Sequence, residues 1–105
     1  MDRKKALIKD LSIFKNKINK KYSVDKMIFF GSRAKGKPKK DSDIDMVIVS
    51  KYFQGKKFRY RPLGMYTYWN LDYPVDFLCY TPEEFDKLKN QVTIVKEAVK
   101  EGIEI

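Results

Sequence analysis

The sequence predicts an α/β (α+β) domain, a small mixed β-sheet with helices packed against it. Three observations predict it. Leu7, Leu11, Phe14 and Ile18 recur every three or four residues near the start, with lysines between them, which marks an amphipathic helix. Three short runs rich in strand formers follow, at residues 24–30, 44–49 and 74–80. Two further helical stretches close the chain. At 105 residues the chain makes a single domain, residues 1–105.

Each element has its own signals. The first helix covers residues 3–21. Residues 24–30 read as a buried strand that Gly31-Ser32 ends, and a short helix is expected to begin there. Residues 35–42 are polar, carry Gly36 and Pro38, and read as a loop. Residues 44–49 are β-branched and form a second strand. Residues 51–72 are broken by Gly55, Pro62 and Gly64, so a helix or an irregular excursion is expected. Val75-Asp76-Phe77-Leu78-Cys79 makes a third strand. Thr81, Pro82 and Glu84 then start a helix as N-cap, first helical residue and capping-box partner. It is expected to run to about Asn90. Residues 92–101 are expected to form a last helix with Val92, Val95 and Val99 on one face, ended by Gly102.

Composition narrows the function classes. Apolar residues make up 43% of the chain and aromatics 14%, which is globular. No apolar stretch approaches the roughly 20 residues that a membrane span needs. The start, Met1-Asp2-Arg3-Lys4-Lys5, leads into an amphipathic pattern and not a secretory signal. With Cys79 as the lone cysteine there is no internal disulfide, so a cytoplasmic location is the expectation. Cys79 itself reads as a small buried hydrophobe. Absence of histidine excludes imidazole chemistry, and one cysteine leaves zinc without ligands. Any metal must be a hard, oxygen-liganded ion. Net charge is +9, with 23 Lys and Arg against 14 Asp and Glu. That balance favours a polyanionic partner: a nucleotide, a nucleic acid or an acidic protein.

The chemistry lies in two short segments. Asp43 and Asp45 open the second strand and, as residues i and i+2, point to one face within about 7 Å of each other. Such carboxylates repel unless a cation lies between them, and Mg²⁺ is commonly held by one or two carboxylates plus substrate phosphates. Taken alone, Asp-x-Asp is common and equally describes a solvated strand edge. Asp76 changes the weight. It interrupts an apolar run, where an unpartnered carboxylate is costly. On a neighbouring strand it would join Asp45 in a site suited to two-metal chemistry. Gly31 lets backbone approach a phosphate closely, and the N–H groups of a starting helix point at an anion. The Ser32 hydroxyl can donate to a phosphate oxygen, or serve as an ordinary N-cap. Arg33 and Lys35 can contact leaving pyrophosphate, or be solvated. Together the segments suggest chemistry on a nucleoside triphosphate.

Gly31-Ser32, ten intervening residues and Asp43-x-Asp45 resemble the signature of the DNA polymerase β-like nucleotidyltransferase superfamily. The longer string from Gly31-Ser32-Arg33-Ala34-Lys35-Gly36 through Ser42-Asp43-Ile44-Asp45 is similar to the minimal nucleotidyltransferases in particular. The motif covers about a fifth of the chain. Lys35 and Met46 stand where relatives often carry Arg and Leu, and both keep the chemical character. The resemblance implies the nucleotidyltransferase fold and transfer of a nucleoside monophosphate, commonly AMP from ATP, with release of pyrophosphate. It implies two Mg²⁺ ions on Asp43 and Asp45, with Asp76 completing the site and helping to activate the acceptor hydroxyl. Gly31 and Ser32 would hold the β- and γ-phosphates. Larger relatives add a helical domain that grips the acceptor, for which this chain has no room. Minimal members are often paired with a small helical HEPN protein, a toxic RNase, and act as the antitoxin that adenylylates it in a type VII toxin–antitoxin system.

Two other readings stand beside this one. The protein could neutralise such a toxin by contact alone, as a catalytically inert protein of the same fold. It could be a basic nucleic-acid-binding domain, although no RNA- or DNA-binding motif is visible. The aromatic and basic segment 52–69 suits a docking surface or plain core packing. A homo-oligomer stays open.

Overall fold

The computed structural model describes residues 3–31, 33–34 and 43–105. Helix α1 (Arg3–Tyr22) leads into β1 (Lys26–Phe30), then β2 (Ile44–Val49). Three short 3-10 turns, Lys51–Phe53, Phe58–Tyr60 and Leu63–Tyr68, carry the chain to β3 (Val75–Tyr80). Helices α2 (Pro82–Leu88) and α3 (Ile94–Glu101) and the short strand β4 (Ile103–Glu104) complete it. The sheet order is β3-β2-β1-β4. β1 pairs antiparallel with β2 and with β4, whereas β2 and β3 are parallel. The mixed sheet and flanking helices are those the sequence predicts.

Alternation along the strands sends side chains into two cores. On one face Met27, Phe29, Ile44, Met46, Ile48, Phe77 and Cys79 meet Leu7, Leu11, Phe14, Ile18 and Tyr22 of α1. Phe53 and Met65 of the 3-10 segment fill the same core. On the other face Ile28, Phe30, Val47, Val49 and Tyr80 meet Phe85 of α2 and Val95 and Ala98 of α3. The sheet is therefore sandwiched between an α1/3-10 layer and an α2/α3 layer.

Several boundaries differ from the sequence pattern. Helix α1 ends because Ser23 turns left-handed (φ 48°), with its N–H bonded to the Asn19 carbonyl and the Asn19 Oδ1 accepting from Val24 N at 2.7 Å. β1 consequently starts at Lys26, two residues later than expected. α2 stops at Leu88, short of Asn90. α3 starts only at Ile94, because the Thr93 hydroxyl caps it by accepting from Lys96 N. Val92 thus lies outside the helix and is 98% exposed, Val99 faces solvent, and Val95 and Ala98 form the buried face. Gly102 does end α3, in an extended conformation. A Cβ there would press on Ile28 Cγ2 at 2.6 Å, so a side chain would push the chain off β1. The short helix expected after Gly31-Ser32 shows a turn at Arg33 and Ala34, and the rest of it, like the 35–42 loop, lies outside the described residues.

The 51–72 segment is an ordered excursion with two polar anchors. Buried Ser50 donates to the Tyr22 carbonyl and accepts from Tyr52 N, fixing where β2 ends against where α1 ends. Buried Arg61 donates from Nη1 to the Cys79 carbonyl (3.1 Å) and to Glu84 Oε1 (2.6 Å), and from Nε to the Lys56 carbonyl (2.9 Å). Glu84 also closes the expected capping box with Thr81. One carboxylate thus ties the excursion, β3 and α2 together. Cys79 is buried, as expected, and burial pushes its thiol up to about 12.

The Arg61 hydrogen bond, foremost, holds the Glu84 carboxyl below its usual range, outweighing burial. A lowered carboxylate stabilises the fold above the unfolded-chain pKa and loses that contribution as pH falls through the folded value. Glu84→Gln should therefore cost about 1–2 kcal/mol at pH 7, the scale of a hydrogen bond to a charged group. The difference from wild type should shrink below about pH 4.5, the ordinary value for such a carboxyl. Urea melts at pH 7 and pH 3 check both statements.

Candidate active site

Gly31 follows the last residue of β1, and Phe30 pairs with Asp45 across the antiparallel ladder. On its other side Asp45 pairs with Asp76 across the parallel ladder. The two aspartates sit on adjacent strands about 4.8 Å apart, on the sheet face that α2 and α3 cover. Their flanking residues, Ile44, Met46 and Phe77, turn into the α1 core. Asp43 lies just before β2, exposed, and Asp76 is exposed as well, whereas Asp45 is half-buried.

Gly31 has φ +93°, and a Cβ on it would run into Asp45 Oδ2. The Gly31 backbone and the Asp45 carboxylate are therefore packed closely together. Burial foremost, then the charges of Asp76, Asp43 and Glu97, pushes the Asp45 carboxyl up. Each of those charges repels a second negative charge at Asp45, and a divalent cation would relieve all of them.

Among the described residues no group of three or more carboxylates or thiols stands together as a metal cluster. The Asp45–Asp76 pair still fits a hard cation in donor type, since Mg²⁺ requires only one or two protein carboxylates when phosphates complete its shell. Asp43, just before β2, adds charge near Asp45. The guanidinium of Arg33 stands 4.6 Å from the ring of Tyr73, three residues before Asp76. Ser32 and Lys35, the other expected nucleotide-binding residues, lie outside the described residues.

Two neighbours of the site escape sequence reasoning. Tyr66, on the last 3-10 turn, packs its ring 5.1 Å from Phe77. Burial and then Asp76 push its phenol up, and a backbone hydrogen bond from Phe77 pulls it down. Glu97 reaches Asp45's surroundings from α3. Both are brought by tertiary packing across more than ten residues of chain, and no local spacing signals them.

A sequence model of the nucleotidyltransferase domain family matches residues 11–104. The chain belongs to the nucleotidyltransferase domain family. None of the curated proteins compared with it matches. A crystal structure at 1.40 Å of a candidate nucleotidyltransferase from Sulfolobus solfataricus has a similar fold, with a TM-score of 0.67 and 19% identity. The similarity covers 96% of this chain and 80% of that one. A second candidate nucleotidyltransferase structure is 27% identical over 78% of this chain and 86% of its own, with a TM-score of 0.46, too low to bear on the fold.

Gly31→Ala and Gly55→Ala make a matched pair. Both glycines have positive φ, but a Cβ at Gly55 has nothing within 4 Å. Each substitution should cost about 1–2 kcal/mol in backbone strain. Only Gly31→Ala should also weaken Mg²⁺-dependent ATP binding, by tenfold or more in calorimetry, because it displaces the Asp45 carboxylate.

A raised carboxyl pKa favours the fold most in acid and works against it once ionised. Metal-free Asp45→Asn should therefore melt higher than wild type at pH 7, with the gain fading as pH falls through the carboxylate range. Added Mg²⁺ with ATP should raise the wild-type melting temperature and leave the variant unmoved.

Proposed function

We propose that the domain transfers a nucleoside monophosphate, AMP from ATP, to an acceptor hydroxyl on a small helical protein of the HEPN type, and so acts as the antitoxin of a type VII toxin–antitoxin pair. The observation that carries the transferase reading is the register that sets Asp45 opposite Asp76 with Gly31 pressed against Asp45. The resemblance of the Gly31-to-Asp45 string to minimal nucleotidyltransferases supports the choice of acceptor.

In this reading Gly31 and Ser32 cradle the β- and γ-phosphates, and Arg33 and Lys35 steady the departing pyrophosphate. Asp43, Asp45 and Asp76 are the metal ligands, for two Mg²⁺ ions. When bound, the cations supply neutralisation of triphosphate charge and alignment for in-line displacement. Asp76 accepts the proton of the acceptor hydroxyl. That oxygen bonds to the α-phosphorus as the bond to the bridging oxygen of pyrophosphate breaks.

Incubation with Mg²⁺, α-labelled ATP and a candidate helical partner should move label onto the partner. Asp43→Ala or Asp45→Ala should abolish transfer. Asp76→Asn should lower it about 10²-fold or more, the scale of a general base, with an unchanged circular dichroism spectrum. Wild-type protein that binds no ATP with any divalent cation would falsify the transferase reading. Full protection of cells by Asp45→Ala would favour neutralisation by contact alone.

A further inference from the structure

The cations of this chain are concentrated in two segments. Residues 3–22 and 46–71, which hold α1 and the 3-10 excursion, carry thirteen Lys and Arg and a single acid, Asp10. That is a formal charge of +12. The remaining residues carry ten Lys and Arg against thirteen acids, a charge of −3. Helix α1 and the excursion, through Phe53 and Met65, share one core on one sheet face, and Phe58 and Arg61 reach past β3 to Tyr80 and Glu84. Asp45 and Asp76 look out on the opposite face.

Aromatic rings are interleaved with these cations. Lys21 Nζ stands 5.4 Å from the Tyr22 ring, Tyr22 lies edge-on to Tyr52 at 4.7 Å, and Lys56 Nζ stands 4.3 Å from the Tyr52 ring. The Gly64 backbone closes onto the Tyr22 hydroxyl and Lys21. This run joins the end of α1 to the 3-10 turns in one surface. Further along, Arg59 lies 4.8 Å from the ring of Tyr60, which is 51% exposed, beside exposed Phe58 and Leu63. Lys20 and Lys21 complement the C-terminal dipole of α1. That explanation does not extend to Lys9, Lys17, Lys51, Lys56, Lys57 and Arg59, all exposed.

We propose that this α1/3-10 face binds single-stranded nucleic acid. Ten of the thirteen cations are lysines. Lysine is depleted from protein–protein contacts, whereas lysine rows are the footprint of a phosphate backbone. Exposed rings between them offer stacking platforms, which only unpaired bases can occupy. With one acid in the two segments, almost nothing repels the phosphates. Binding here is independent of the carboxylate site and requires neither ATP nor metal.

The test is fluorescence anisotropy with a labelled 20-nucleotide RNA of mixed sequence, titrated with the wild-type protein. Four phosphate contacts would weaken binding roughly 50-fold between 50 and 200 mM salt. Lys17→Glu with Lys57→Glu should weaken it at least about tenfold. Lys96→Glu with Lys100→Glu changes net charge equally on the other layer and should cost less than about threefold. Tyr60→Ala should weaken RNA binding and leave binding of poly-glutamate unchanged. Asp45→Asn should change nothing. Equal losses from the two lysine pairs overturn the proposal, because net charge would then explain the binding. No binding at 50 mM salt overturns it outright. Poly-glutamate competing on equal terms, with Tyr60→Ala silent, overturns it in favour of an acidic protein surface. A duplex bound as tightly as the single strand overturns the single-strand assignment.

Discussion

The parallel ladder between β2 and β3 is the constraint on which the rest of the domain depends. It sets Asp45 against Asp76, and a slip of one residue would turn Asp76 into the α1 core and Phe77 out of it. The register is held at both ends by main-chain bonds, Ile44 N to the Pro74 carbonyl at 2.8 Å and Ser50 N to the Tyr80 carbonyl at 3.0 Å. Phe77 locks it from the α1 side, stacked with Phe14 and edge-on to Trp69. Two like charges are thus held side by side by an apolar core that gains nothing from their proximity. Burial foremost, then their mutual repulsion, raises the Asp45 carboxyl, and a cation between them would relieve that repulsion.

Parallel strands need a crossover, and here it runs through 3-10 turns and not a long helix. The reasons lie in Gly55, Pro62 and Gly64, which interrupt every potential helix of more than two turns. Irregular backbone leaves many polar groups to satisfy, and buried Arg61 answers several at once by bonding to two carbonyls and Glu84. Ser50 does the same at the start of the excursion. The excursion then delivers Tyr66 to the edge of β3 beside Asp76, so the segment that closes the crossover also borders the site.

Much of this was readable from sequence, where local rules apply. The Leu7-to-Ile18 stripe, the strand runs and the Thr81–Glu84 capping box all took the form that their spacing predicts. Asp76 stood out because it interrupts an apolar run; the structure leaves it exposed on the edge strand β3, paired in register with Asp45. What stayed hidden depends on tertiary packing. β4 is two residues long and is defined by pairing with β1, since Ile103 and Glu104 carry no pattern of their own. Val92 and Val99 kept helical spacing with Val95, yet the Thr93 cap moved the helix start and rotated the buried face onto Val95 and Ala98.

Cys79 has a consequence beyond packing. It is the only thiol in the chain, it sits fully buried in β3, and its high pKa keeps it protonated. Reagents that attack thiolates reach it only when the core packed on β3 opens. The native domain therefore carries a built-in clock for the opening of that core. Its labelling rate, read as a single mass shift of the intact chain, times how often α1 and the 3-10 segment lift from the sheet.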